Sequence, residues 1–315
     1  MSRTKIKFRL AKKGKQTKFW IILSSTNTQT DTGMNWNYDD EDDHDLERQR
    51  DIEAAEAAAV DDMFASMRKR SSTVGKGWFI PPLADMHIET INVGDRFYCE
   101  PRHRDQDPMD VPLDHPFRAI LGVLYAGEQK LAPGDIATLR LYVYSLSCPF
   151  MIDTLIHYRK FFNLRVILHP AVHSLKMMKK FIDNIPVSEE TGNPRACLEM
   201  IEFRVADVSH NTFASMHRKD LITEELMVIG SYNFSLAARC FNWETIIIAE
   251  TREDDILRFD ATWDDLQDRV LSIYNPDARL FPQKEQSALA EFRQSLPAVR
   301  QCQGTGNPYK KPKKT

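Results

Sequence analysis

From Asp135 onward, apolar and polar positions fall into blocks that alternate between two periods. Ile136–Tyr144 (IATLRLYVY) is rich in β-branched and aromatic residues and predicts a strand, and Pro149–Phe162 has apolar positions at helical spacing. Asn163–His169 (NLRVILH) predicts a strand buried on both faces, and Ser174–Ile185 a helix with Ser174 as its N-cap. After a loop over Asn184–Pro194, Met200–Val205, the apolar run Leu226–Ile229 and Trp243–Glu250 (WETIIIAE) predict three further strands, and Asp254–Tyr274 a long amphipathic helix. Such alternation predicts an α/β domain over residues 76–280, with a mixed β-sheet flanked by helices on both faces. Phe117–Tyr125 (FRAILGVLY) fits a buried helix or a buried strand equally.

The two ends have a different character. Residues 1–18 are basic, with eight Lys or Arg before the first acid at Asp31, and Asp39–Asp45 (DDEDDHD) is acidic. Such blocks bury too little apolar surface to fold alone, so residues 1–75 are expected to be mostly disordered, with a short helix in the Ala-rich Ile52–Met67 and order beginning near Trp78–Pro82. Residues 281–315 read as a polar basic tail ending in Lys310-Lys311-Pro312-Lys313-Lys314. Either basic segment is compatible with nucleic-acid contact, with targeting (mitochondrial for the first, nuclear for the second), or with a solvated tail.

Composition changes this picture only modestly. A 315-residue chain that is 42% hydrophobic and 10% aromatic can bury a core, and a net charge of −3 selects no partner. The five cysteines are odd in number and have no CxxC spacing, which argues against a disulfide framework or a zinc site and for a reducing compartment. No run approaches the roughly 18–20 apolar residues that cross a bilayer. An intracellular protein is expected, in nucleus or cytoplasm, with the mitochondrion as the alternative.

The chemistry gathers in Met216–Glu244. His217-Arg218-Lys219 is followed by Gly230-Ser231-Tyr232-Asn233-Phe234-Ser235 and then by Asn242-Trp243-Glu244, with one apolar strand between the first two and another after the third. On a strand, residues two apart face one side, so His217 and Lys219 would point together, as would Ser231 and Asn233 at the end of the next strand. An imidazole, an ammonium, an amide and a hydroxyl that converge suit a phosphodiester. Lys219 would hold a non-bridging oxygen, Ser231 and Asn233 would donate hydrogen bonds to the same group, a neutral His217 would be nucleophilic, and Glu244 would orient its ring. An HxK alone arises by chance in about every second chain of this composition, and GSxNF alone reads as a helix-capping turn; the ordered combination is what carries weight.

That combination resembles the HKD motif of the phospholipase D superfamily, HxKxxxxD followed by GSxNxxxxxxxxNxE. His217, Lys219, Gly230, Ser231, Asn233, Asn242 and Glu244 match, and Glu224 stands where the family carries an Asp, as a supporting acid. The resemblance covers about residues 135–275 and includes an exit loop at Tyr144–Ser147. It implies a metal-independent phosphodiesterase without cofactor, working through a phosphohistidine. Because none of the other eight His has Lys two residues on, it also implies a homodimer that unites two half-sites. The expected substrate is DNA or RNA cut endonucleolytically. The alternatives are an anionic phospholipid such as cardiolipin, or a catalytically impaired nucleic-acid-binding scaffold. His169 reads as a structural histidine, Met177, Met178 and Phe181 as core, and Cys148 and Cys240 as inert buried thiols.

Overall fold

The computed structural model describes residues 6–8, 11–13, 16–18, 21–23, 51, 54–65, 90–101, 111–112, 114–184, 198, 200–210 and 214–296. It divides into two compact units, Met1–Arg48 and Gln49–Thr315. In the first, β1 (Ile6–Phe8) pairs antiparallel with β4 (Ile21–Leu23), and β2 (Ala11–Lys13) with β3 (Gln16–Lys18), as two nested ladders. The acidic block, the C-terminal basic run and most of the residues expected to be disordered lie outside those described.

The second unit is built on an eight-stranded mixed sheet. Its strands are β5 (Arg96–Cys99), β6 (Ala137–Val143), β7 (Phe162–Leu168), β8 (Glu202–Val205), β9 (Leu221–Ile222), β10 (Leu226–Gly230), β11 (Glu244–Glu250) and β12 (Val270–Leu271). Their order is β12-β8-β7-β6-β9-β10-β11-β5; β6, β7 and β8 run parallel and every other pairing is antiparallel.

Period-two alternation sends neighbouring side chains to opposite faces, and both faces are covered. Leu139, Leu141 and Val143 of β6 and Leu164, Val166 and Leu168 of β7 enter the larger core. That core also holds α1 (residues 54–65), α2 (Pro116–Gln129), α3 (Pro149–Tyr158), α4 (Val172–Asn184) and the short α5 (Leu236–Cys240). Tyr142 and Ile167 point the other way, into a smaller core with Phe259 and Trp263 of α6 (Glu253–Asp265).

The structure settles one open choice and departs from the sequence reading in three places. Phe117–Tyr125 is helical, entered through Pro116 and capped by the His115 ring, which accepts from the Phe117 amide at 3.0 Å. Ser174 lies inside α4 rather than at its cap; its hydroxyl accepts from Leu146 N at 3.2 Å. The long helix over Asp254–Tyr274 stops at Asp265, because Arg269 donates to the carbonyls of Val205, Ala206 and Leu280 and turns the chain into β12. The compact unit also extends past both ends of the expected 76–280 domain. Val60, Met63 and Phe64 of α1 are buried in the core, as are Leu289 and Phe292 of α7 (Gln286–Ser295).

Candidate active site

Gly230 ends β10 at φ +159°, and the backbone of β11 passes so close that a Cβ there would lie 2.1 Å from Thr245 O and 2.8 Å from Ile246 Cα. Only glycine allows this approach. It lets Ser231 N donate to Thr245 O (2.9 Å) and Thr245 N to Ser231 Oγ (3.0 Å), which seats Ser231 beside the first residue of β11, Glu244. Gly230→Ala is therefore expected to cost about 2–3 kcal/mol and to separate Ser231 from Glu244, as measured by urea unfolding and the loss of activity at permissive temperature.

After Ser231 the chain turns into α5, which Ser235 caps by accepting from Ala238 N at 3.1 Å. The capping function of the GSxNFS run is thus real and belongs to Ser235, which leaves Ser231 and Asn233 for other work. The turn is clipped to the loop after β6 by amides of Ser147 and Cys148, both donating to Phe234 O at 3.0 Å. Asn233 is half-buried, and its Oδ1 is buried with no hydrogen-bond partner. An amide can equally present Nδ2 at that place, and a buried polar atom without a partner costs about 1–3 kcal/mol, so this group is prepared for a ligand.

His217 and Lys219 lie in the irregular segment 214–220 rather than on a strand, but the β-ladder reaches them, since Tyr142 N donates to Asp220 O at 2.9 Å. They still converge. The Lys219 ammonium sits 3.0 Å from His217 Nδ1 and 3.2 Å from Nε2, and donates to His217 O at 3.0 Å. Lys219 is 6% exposed, whereas His217 faces solvent. Desolvation and the Lys219 charge both hold the His217 pKa below its ordinary value, which keeps the imidazole neutral near neutral pH. Burial also pushes the Lys219 pKa down, with Glu244 and Asp220 opposing.

Glu244 is buried at the start of β11. Burial raises its pKa, against hydrogen bonds from Ser231 and Asn242 and the Lys219 charge; Asn242 Nδ2 donates to Oε1 at 3.2 Å. The sequence reading gave Glu244 the task of orienting the His217 ring; in the single chain it is engaged by other groups. Within one chain its partners are Ser231, Asn242 and Lys219. Glu224 lies between β9 and β10, where its carboxylate accepts from Arg140 at 2.9 Å. Arg140 in turn forms two 3.0 Å hydrogen bonds with Asp260 of α6. Glu224 therefore acts as a strut between sheet and helix, and Asp220 pairs with Arg218 instead.

Two residues that motif reasoning left aside stand at the site. The Tyr144 ring stacks on His169 (centroids 4.9 Å, 30°) and meets His217 edge-on (4.6 Å, 64°). Burial, followed by Lys284 and His217, lowers the His169 pKa to about 4. The folded chain then binds fewer protons there than the unfolded chain, whose His titrates near 6.5. Stability should thus be full above pH 6.5 and fall by about 3 kcal/mol by pH 4. His169→Phe should flatten that slope in pH-dependent urea melts. Among the described residues no group of three or more His, Cys, Asp or Glu side chains is placed to hold a metal ion, and no helix is long and apolar enough to cross a membrane.

No protein-family model matches the chain, and no curated protein matches it significantly. Among solved structures it is similar to Nuc from Salmonella typhimurium, a phospholipase D family member, at 15% identity and a TM-score of 0.36 over 56% of this chain and 94% of that one. It is also similar to NucT from Helicobacter pylori, at 14% identity and a TM-score of 0.33 over 49% of this chain and 92% of that one. Phosphatidylserine synthase from Haemophilus influenzae Rd KW20 is similar at 10% identity and a TM-score of 0.36, over 63% of this chain and 45% of that one. At such identities and scores these likenesses carry no functional weight; the side-chain geometry does.

Proposed function

We propose that this chain is a phosphodiesterase of the phospholipase D type, that two copies of it form one active site, and that its substrate is a nucleic acid. The observation that carries the reading is the exposed His217 imidazole held 3.0 Å from the buried Lys219 ammonium. The cation disfavours protonation of the ring, so a neutral nucleophile stands beside a fixed positive charge for the phosphoryl oxygens.

In the proposed reaction, one His217 ring nitrogen attacks phosphorus. The P–O bond to the leaving group breaks, and the second copy's His217, protonated, gives its proton to that oxygen. Water then attacks the phosphohistidine, handing a proton back to the second imidazole and freeing the first. Lys219, Ser231 and Asn233 stabilise charge on the non-bridging oxygens in both steps. Glu244, with no contact to its own His217, is left to orient the second ring or to fix Lys219. Neither step calls on a metal.

The choice of nucleic acid rests on the exposed aromatic and basic groups of β5 and just ahead of β11, the strand that begins with Glu244. Trp243 is 70% exposed and Tyr98 53% exposed, and Tyr98 stands opposite Thr245 in the β5–β11 ladder, with Arg96 two residues before it. Flat exposed rings suit stacked bases, and a guanidinium suits the backbone. To test this, single- and double-stranded DNA and RNA, and in parallel vesicles containing anionic phospholipid, are incubated with the full chain in EDTA. Cleavage of nucleic acid that is absent in His217→Asn supports the proposal. Release of phosphatidic acid without nucleic-acid cleavage would transfer the site to lipids, and no product above the His217→Asn background would remove the enzymatic reading.

A further inference from the structure

The ring-on-ring contacts at the site form a row with a structural origin. Tyr144 follows β6, His169 follows β7, and His217 precedes β9, and these are three neighbouring strands in the order β7-β6-β9. The two centroid separations, 4.9 Å and 4.6 Å, match the roughly 4.8 Å between adjacent strands of any sheet. The row therefore follows the sheet's own spacing, with Tyr144 and His169 one residue past their strands and His217 four residues before β9.

We propose that Tyr144 and His169 are positioning residues that set the orientation of the His217 ring, a role resting on the reading of His217 as the nucleophile. Tyr144 is the hub. It is stacked on His169 and in edge contact with His217, and its centroid lies 5.1 Å from Lys219 Nζ. It touches both members of the HxK from a rigid strand end, while HxK itself lies in an irregular segment. His169 adds a tether. Its Nδ1 accepts from the amide of Met216 at 3.4 Å, which holds the backbone one residue before His217 and leaves the His169 proton on Nε2. An exposed imidazole without such supports would sample several rotamers, and a reacting atom displaced by about 1 Å loses on the order of 100-fold in rate.

The charged and titratable groups around the row are Lys219 and His169 for His217, and Lys284 and His217 for His169. Tyr144 packs edge-on against the His217 ring, whose pKa is lowered by desolvation and the Lys219 charge. NMR on the full chain, with labelled His and Tyr, tests the clamp without needing a substrate. The His217 signal is assigned by its loss in His217→Asn. In the wild type, ring-to-ring contacts from Tyr144 to both imidazoles are expected, with His169 as the Nε2–H tautomer and His217 titrating below 6.5. In Tyr144→Ala the His217 titration should move up toward 6.5, and kcat should fall about 10- to 100-fold with KM within about threefold. Tyr144→Phe should restore both, and His169→Gln should weaken the Tyr144–His217 contact. Absent ring contacts in the wild type, or an unmoved His217 titration in folded Tyr144→Ala, would overturn the clamp. If the wild type cleaves nothing, the nucleophile reading falls, and the NMR measurements still decide whether the rings are clamped.

Discussion

His217→Asn is expected to lower kcat/KM by about 10⁴-fold or more while leaving stability within about 0.5 kcal/mol, because it deletes the nucleophile yet removes a solvent-facing side chain. Mixing experiments make the prediction sharper. If each active site uses His217 from both copies, a dimer with one variant chain is dead. At equal amounts of wild-type and variant chain, co-refolded, activity should fall to about one quarter of the all-wild-type value, since only pairs of intact chains work. A fall to about one half would mean that each chain is active by itself. The readout is initial cleavage rate against the fraction of variant.

Lys219→Met should lower the single-turnover rate by about 10²- to 10³-fold with little change in substrate affinity. Its charge acts mainly on oxygens that gain negative charge in the transition state. The loss should exceed that of an ordinary surface lysine because Lys219 is 6% exposed and directly opposite Glu244's field. Without the ammonium the Glu244 carboxyl loses its nearest opposing charge and is pushed further up, so protein stability near neutral pH should also decline. Lys219→Arg should fail to restore the rate. A planar guanidinium does not fit the point between the His217 ring and the His217 carbonyl that the ammonium occupies. The measurement is rapid-quench kinetics with enzyme in excess over a labelled oligonucleotide.

Much of the α/β framework was legible because it rests on local pattern. Ala137–Val143, Phe162–Leu168 and Glu244–Glu250 announce themselves by β-branched runs, and α3 and α4 by apolar spacing, whereas α2 fits helix and strand equally. What escaped depends on partners far along the chain. The helix over Asp254–Tyr274 looked continuous because apolar residues recur through Leu271 and Ile273, yet Leu271 is claimed by Phe203 across a ladder. The same holds at the site. HxK spacing put His217 and Lys219 together on a strand, whereas they meet in an irregular segment that the ladder only borders. Glu224 could be recognised as an acid in place but not as the partner of Arg140, 84 residues away. Tyr144 and His169 carry no motif; only the strand order puts them beside His217, and strand order is a property of the folded sheet.

The central claim is that His217 becomes covalently attached to phosphorus, and a trapped adduct tests it most directly. The full chain is mixed in excess with an end-labelled single-stranded oligonucleotide in EDTA, denatured in alkali within milliseconds to seconds, and resolved under denaturing conditions, with the labelled peptide then mapped by mass spectrometry. The account predicts a transient, acid-labile protein–oligonucleotide adduct on the peptide containing His217, absent in His217→Asn and slower to form in Lys219→Met. Cleavage that proceeds with no adduct at any time, or an adduct on another residue, would contradict it.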